Sequence, residues 1–299
     1  MKKVLITGAC GYLGAKLSKY LAEKGYSVTA FDSFDPSGYN QWSSLMHDVV
    51  VGNIQDEKII TKLSNEKYDV VIHLISLDHH KSEDKPNFVS SINVVPTWNL
   101  MNNFAKNGLE KFIYFSTIHV YGKNLKNLVT EDTKPIPVHP FAEAHLAAEK
   151  ILAAQVDNVS VKIIRCSNSF GIPYFENEKC WKLVVNDLCK SAFEKGRLII
   201  NSSGLDYRDF IPVEDVVRAI HHLLELNIGR WIHDIYNLGS SNTVRIIDIA
   251  KKIQKELKDS FDYDCPIIKN KPLKEMDESK HFILSTEKIK QLGFTSKLG

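Results

Sequence analysis

The residues best spaced for chemistry lie near the start of the chain: Gly8, Gly11 and Gly14, followed by Asp32. Glycines at this spacing between a strand and a helix permit a tight turn and let backbone N–H groups approach a pyrophosphate. They also let the helix sit close on the strand, and the helix N-terminus then stabilises the anion. Asp32 can accept hydrogen bonds from adenosine ribose hydroxyls and would repel a 2′-phosphate. Ser33-Phe34-Asp35 adds no nearby cation, so the pattern favours NAD over NADP. Such residues need particular elements around them. Residues 3–7 are a short apolar run of strand type. Leu13, Leu17, Tyr20 and Leu21 have helical spacing, and the predicted helix over 15–24 stops at Gly25. Residues 26–31 read as a second strand ending in Asp32. Strand, glycine turn, helix, strand and acid make a dinucleotide-binding unit.

The rest of the chain has to complete that unit. Residues 68–77, 111–116 and 161–165 read as buried parallel strands, and 57–65, 90–107 and 141–154 as helices. The expected fold class is α/β, a Rossmann doubly wound parallel sheet with a smaller C-terminal α/β substrate lobe. After Arg165 the rhythm loosens: 173–179 is polar and turn-rich, while 181–194 and 246–257 look helical. The expected division is a Rossmann domain of residues 1–165 plus about 204–235, and a smaller lobe of 166–203 plus 236–299. Residues 215–226 are expected to pack back on the main domain.

Bulk properties exclude several classes. A chain of 299 residues, 43% hydrophobic and 25% charged, is an ordinary globular protein large enough for two lobes. A net charge of +2, with no basic cluster interleaved with aromatics, argues against nucleic acid as a partner. With no signal peptide and no apolar run of transmembrane length, no membrane association is expected. Five scattered cysteines without a C-x-x-C pair fit reduced thiols and a cytoplasmic location. His79-His80 reads as a surface loop, and no metal site is expected.

Further segments, taken together and in order, resemble the extended short-chain dehydrogenase/reductase family, whose typical members modify nucleotide sugars. Gly52-Asn53-Ile54 stands where the family has Gly-Asp-(Leu/Ile) against the adenine, with an amide in place of the acid. His73-Leu74-Ile75-Ser76 is similar to its H-L-A-A strand end beside the cofactor. Asn93-Val-Val-Pro96-Thr97-Trp-Asn99-Leu100 resembles N-V-x-G-T-x-N-L, with Pro96 for the glycine. Ser116-Thr117-Ile-His-Val120-Tyr121-Gly122 resembles the catalytic S-(S/T)-x-x-V-Y-G, and Arg165-Cys-Ser-Asn168-Ser-Phe170-Gly171 resembles R-x-x-N-x-Y-G. Arg208-Asp209-Phe-Ile-Pro-Val-Glu-Asp215-Val216 is similar to R-D-(F/W)-(I/V)-x-V-x-D-V. The resemblance implies an NAD site at Gly8, Gly11, Tyr12, Leu13, Gly14, Asp32, Asn53, Ile54, Leu74, Ile75, Ser76, Asn93 and His145. It implies a nucleotide diphosphate sugar held by Thr117, Asn168, Lys182 and Arg208, with Arg208 the prime diphosphate contact. The alternative for Arg208 is a salt bridge to Asp209 or Asp215. The family's second arginine has only lysines to match it in 272–280.

The chain departs from the family at its acid/base dyad, Y-x-x-x-K, where Phe141 and His145 stand four residues apart on one helical face. A phenol there passes a proton while hydride moves at the nicotinamide, and the lysine charge lowers its pKa and holds the ribose. Phe141 has no exchangeable proton, and an imidazole is mostly uncharged near neutral pH. Three readings stay open: a substitute relay through Thr117 or His145, a binding protein without turnover, or an engineered Phe141 in place of tyrosine. His119 points either into the site or away from it, whereas Tyr121 and His73 read as structural. Where dehydratases of the family carry Asp-Glu, this chain has Ile118-His119, so epimerase or 4-dehydrogenase/reductase ranks above dehydratase. Core burial against the sheet accounts for most of the extra apolar surface on the predicted helices 90–107 and 141–154 (Val94, Trp98, Met101, Leu146, Ile151, Leu152); the resemblance implies that these helices also pair as a four-helix homodimer.

Overall fold

The first β–α–β unit folds as its pattern requires. The computed structural model describes residues 1–77, 86–123, 125–154, 159–175, 180–227, 229, 231, 233–270 and 281–297. Strand β1 (Lys3–Thr7), helix α1 (Tyr12–Glu23) and strand β2 (Ser27–Asp32) follow one another through short turns. Next come α2 (Asn40–Ser43), β3 (Asp48–Val51), α3 (Glu57–Ser64), β4 (Val70–His73), α4 (Pro86–Asn93), α5 (Val95–Lys106) and β5 (Lys111–Thr117). They are followed by β6 (Asn127–Val129), α6 (Pro140–Ala153), β7 (Ser160–Cys166), β8 (Asn168–Phe170), α7 (Val184–Lys195) and β9 (Leu198–Ile200). The chain continues through β10 (Tyr207–Pro212), α8 (Val213–Leu224), β11 (Asp234–Leu238), β12 (Thr243–Arg245) and α9 (Ile246–Phe261). It closes with β13 (Ile267–Lys269), β14 (Phe282–Leu284) and α10 (Glu287–Gln291).

Seven strands form one parallel sheet in the order β11-β7-β5-β4-β1-β2-β3. The chain winds outward from β1 in both directions, so the C-terminal ends of β1 and β4 form the switch point where such sheets leave a ligand crevice. The strand runs are apolar without alternation because both sheet faces are covered. On one face α1 and α8 bury Leu17, Leu21, Val216 and Ile220. On the other, α3, α5 and α6 bury Ile60, Leu100, Phe104 and Leu152. A separate cluster of Leu188, Leu198, Ile247 and Ala250 lies among α7, β9 and α9. The three-stranded sheet β12-β10-β8 carries Asn168 and Arg208.

Several elements differ from their sequence reading. The helix expected over 90–107 is two helices that break at Val94 (φ −104°, ψ −59°), with Pro96 in the first turn of the second. Proline lacks an N–H and its ring clashes with a preceding carbonyl, so it starts a helix more readily than it continues one. The strand expected over 68–77 keeps only Val70–His73. The chain peels away beyond it, and Leu77 N–H is captured by Asn93 Oδ1 at 2.9 Å. Edge strand β3 has no counterpart among the expected elements. Residues 236–238 continue β11 of the main sheet, so a boundary at 235/236 falls inside a strand. Met101 and Leu152 are fully buried in the core, as core burial against the sheet implies. Helix α8 packs on α1 as expected. His79-His80, most of 173–179 and the lysine-bearing 272–280 lie outside the described residues.

Candidate active site

The glycine turn is built from backbone contacts. Gly8 takes φ +78°, a conformation that side chains disfavour, and a Cβ there would meet Ile75 N and Leu74 C at 3.1 Å. The turn after β1 thus presses directly on the end of β4. A Cβ on Gly14 would overlap the Gly8 carbonyl, so α1 begins against the turn itself. No side chain caps α1, which leaves its first N–H groups suited to an anion. Asp32 accepts from Cys10 N–H at 2.9 Å and Phe34 N–H at 3.0 Å, which fixes its carboxylate at the end of β2 beside the turn. Burial and the Asp32 charge push the Cys10 thiol up to about 12. This arrangement fits an adenine dinucleotide by its chemistry: uncapped helix N–H groups suit a pyrophosphate, and the Asp32 carboxylate suits ribose hydroxyls.

Other predicted cofactor residues have side chains already engaged. The Tyr12 phenol donates to Gly171 O at 2.9 Å, joining α1 to the β8 loop. Leu13 packs partly on the core, and Ile54 is buried. The Asn53 carboxamide turns back on Gln55, accepting from its N–H at 3.0 Å. Asn93 is 1% exposed and donates from Nδ2 to Ser76 Oγ at 3.0 Å. Leu74, Ile75 and Ser76 form the partly buried segment facing the turn.

The β5 end and α6 come together through hydrogen bonds between side chains. His145 is 4% exposed, with Nε2 3.0 Å from Ser76 Oγ and Nδ1 2.9 Å from the Tyr114 hydroxyl. Ser76 Oγ gives its one proton to Leu77 O, so Nε2 carries the ring hydrogen and Nδ1 accepts from Tyr114. Burial, with His119 a lesser cause, pushes His145 down to about 3, so it is neutral. His73 is a second buried neutral imidazole, held between Thr7 at 2.6 Å and Thr97 at 2.9 Å and also pushed down to about 3. Phe141 meets His145 edge-on, with ring centroids 4.6 Å apart. Thr117 Oγ1 caps the short 3-10 turn Ile118–Tyr121 by accepting from His119 N–H. The strand end is braced by a buried ion pair, Arg165 Nη2 to Glu149 Oε2 at 2.7 Å, with Ser116 donating to the same carboxylate. Tyr121 is structural, its hydroxyl donating to Asn237 Oδ1 at 2.7 Å.

Beside this end opens a cavity of about 470 Å³ lined by His119, Lys123, Asn168, Lys182, Tyr207 and Arg208, among others. The sequence-predicted substrate residues Asn168, Lys182 and Arg208 are brought to one place. Thr117 sits at the base of the turn that carries His119, and His145 stays behind Phe141 instead of lining the cavity. Arg208 makes neither salt bridge weighed for it: Asp209 accepts from Ser240 and Asn242, and Asp215 pairs with Arg218. Its Nη1 donates to Tyr207 O at 2.9 Å. Sequence reasoning missed Tyr114 and Lys123 and left the direction of His119 open. The signal for Tyr114 was a hydroxyl in an otherwise apolar buried strand, two residues from Ser116 on the same face. Among the described residues, no three His, Cys, Asp or Glu gather as a metal site. Among them too, no helix is long and apolar enough to cross a membrane.

A family model described as the NAD dependent epimerase/dehydratase family matches residues 4–239. The chain belongs to this family. The dTDP-D-glucose 4,6-dehydratase of Dictyostelium discoideum is 27% identical over 85% of this chain, which spans 62% of that relative's length. The UDP-glucose 4-epimerase of Lactobacillus helveticus is 26% identical over 84% of this chain and 81% of its own. The Thermotoga maritima UDP-glucose 4-epimerase, solved with UDP-glucose, superposes with a TM-score of 0.83. It is 25% identical, and the match covers 99% of this chain and 94% of that one. Family members are NAD-dependent, which agrees with the glycine turn and Asp32, and they include both epimerases and dehydratases.

Proposed function

We propose that the protein modifies a nucleotide diphosphate sugar by hydride transfer at a sugar carbon, as an epimerase or 4-dehydrogenase/reductase. The observation that carries this is the convergence of Asn168, Lys182 and Arg208 on one cavity, next to Thr117 at the C-terminal end of β5. A volume of about 470 Å³ suits a ligand of that size. NAD, when bound, accepts and returns hydride. Gly8, Gly11 and Gly14 would hold its pyrophosphate and Asp32 its adenosine ribose, with the 74–76 segment beside it. Arg208 and Lys182 neutralise the substrate diphosphate, and Asn168 and Thr117 orient the sugar. Ile118 and His119, in place of a carboxylate pair, favour epimerase or reductase chemistry over dehydration. A second copy pairs across α5 and α6, where Val95 and Trp98 are half exposed.

The test is the absorbance of bound nicotinamide before and after addition of UDP-, GDP-, dTDP- and CDP-sugars. Reduction with one of them is the expected outcome. Tight sugar binding with no spectral change in this chain or in Phe141→Tyr would turn the reading to a catalytically silent binding protein, the alternative favoured by the missing phenol.

A further inference from the structure

The proposed chemistry needs a group to take and return the hydroxyl proton of the sugar, and the residues at the dyad positions do not offer one. Phe141 carries no exchangeable proton. Both ring nitrogens of His145 are engaged, by Ser76 and by Tyr114, behind the Phe141 ring. Thr117 Oγ1 already accepts from His119 N–H, and an alcohol does not titrate near neutrality. His119 differs from these in its position. It lies in the turn that follows β5, is exposed, lines the cavity with Asn168, Lys182 and Arg208, and meets Phe141 nearly edge-on at 6.4 Å between centroids. Among the described residues it is the imidazole that both abuts Phe141 and faces the sugar side of the cleft.

We propose that His119 is the proton-transfer residue of this site, replacing from β5 the phenol that α6 lacks. This rests on the functional reading above. As the alcohol is oxidised, its O–H proton passes to the imidazole of His119 and its C–H leaves as hydride to NAD. The electron pair of the broken O–H bond becomes the second bond of the carbonyl. Return of hydride and of the same proton restores the alcohol. Imidazole is the side chain whose ordinary pKa suits both directions near neutrality. Phe141 then serves as an apolar wall that orients the His119 ring and separates it from the buried His145. The charged and titratable groups around His119 are Lys123 on its own loop, Lys182, Asp206, Tyr207 and Arg208 across the cavity, and His145 on α6.

The experiment compares the unmodified chain with His119→Ala, His119→Gln and a Phe141→Tyr/His145→Lys double variant, each loaded with NAD. UDP-glucose, UDP-glucuronic acid and dTDP-glucose are the probes. Two signals are read: nicotinamide reduction across pH, and the His119 imidazole resonance in NMR as each sugar nucleotide is titrated. The expected result is a loss of reduction rate on the order of 10²- to 10⁴-fold in His119→Ala. Sugar binding and melting temperature should stay unchanged, free imidazole should restore part of the rate, and the limb of the pH profile assigned to His119 should be absent. The His119 resonance should shift on sugar binding in the unmodified chain. A rate that survives in both His119 variants overturns the proposal. So does turnover confined to the double variant, which would leave the hydride-transfer reading standing. If no chain reduces nicotinamide and no sugar moves the resonance, the functional reading fails, and the proposal with it.

Discussion

The two halves of the cleft are made of different material. The β1–α1 turn is shaped almost wholly by backbone: Gly8 at positive φ, Gly14 against the Gly8 carbonyl, and an α1 N-terminus without a side-chain cap. The β5–α6 end is shaped by side chains that hold one another, Ser76 to His145 to Tyr114 and Ser116 to Glu149 to Arg165. Backbone geometry tolerates little substitution, because a Cβ in the wrong place moves the main chain. A side-chain network can be rewired so long as each buried polar group keeps a partner. The glycine turn therefore leaves little room for change, while the β5–α6 end accommodates Phe141 and His145 with both ring nitrogens of His145 partnered.

The sharpest break of this contrast is Gly14→Ala. The added methyl collides with backbone that has no flexible side chain to yield, and a loss of about 3 kcal/mol or more is expected. Denaturant unfolding and NAD titration together read it; a stable variant that binds NAD normally would dissolve the distinction.

A pH effect of the next size falls on the side-chain half. His73 and His145 are pushed from near 6.5 to about 3 by burial. Between those values the unfolded chain binds protons that the native chain refuses, so stability falls as pH drops below about 6.5 and is flat above it. Over that range each imidazole can cost at most roughly 1.4 kcal/mol of stability per pH unit, because a tenfold difference in proton affinity between the native and unfolded chain is worth that much. Equilibrium melts of the unmodified chain and of His145→Gln give the comparison. The variant should show a shallower acid slope, and identical slopes would mean that His145 takes up its proton as readily in the native chain as in the unfolded one.

The smallest effect belongs to the cavity rim. Arg208→Ala should weaken binding of a nucleoside diphosphate such as UDP by about 1.5 to 3 kcal/mol, with the fold intact. Calorimetry in low and high salt measures it, and an unchanged affinity would remove Arg208 from the diphosphate site.

How much of this could be read from the chain follows the same division. The glycine spacing, the acid ending β2 and the strand runs specified the parallel sheet and its first turn, because period and residue type act locally there. The ordered motifs also located Asn168 and Arg208, although 40 residues separate them in the sequence. Their meeting depended on β8 pairing with β10, a long-range contact that local pattern does not encode. The sequence showed that Phe141 and His145 share a helical face. It did not show that Tyr114 and Ser76 would occupy both nitrogens of that imidazole, or that His119 would turn toward the cavity. Those outcomes were decided by packing: which side chain is desolvated, and which partner reaches it first, depends on elements that meet only when the sheet has formed.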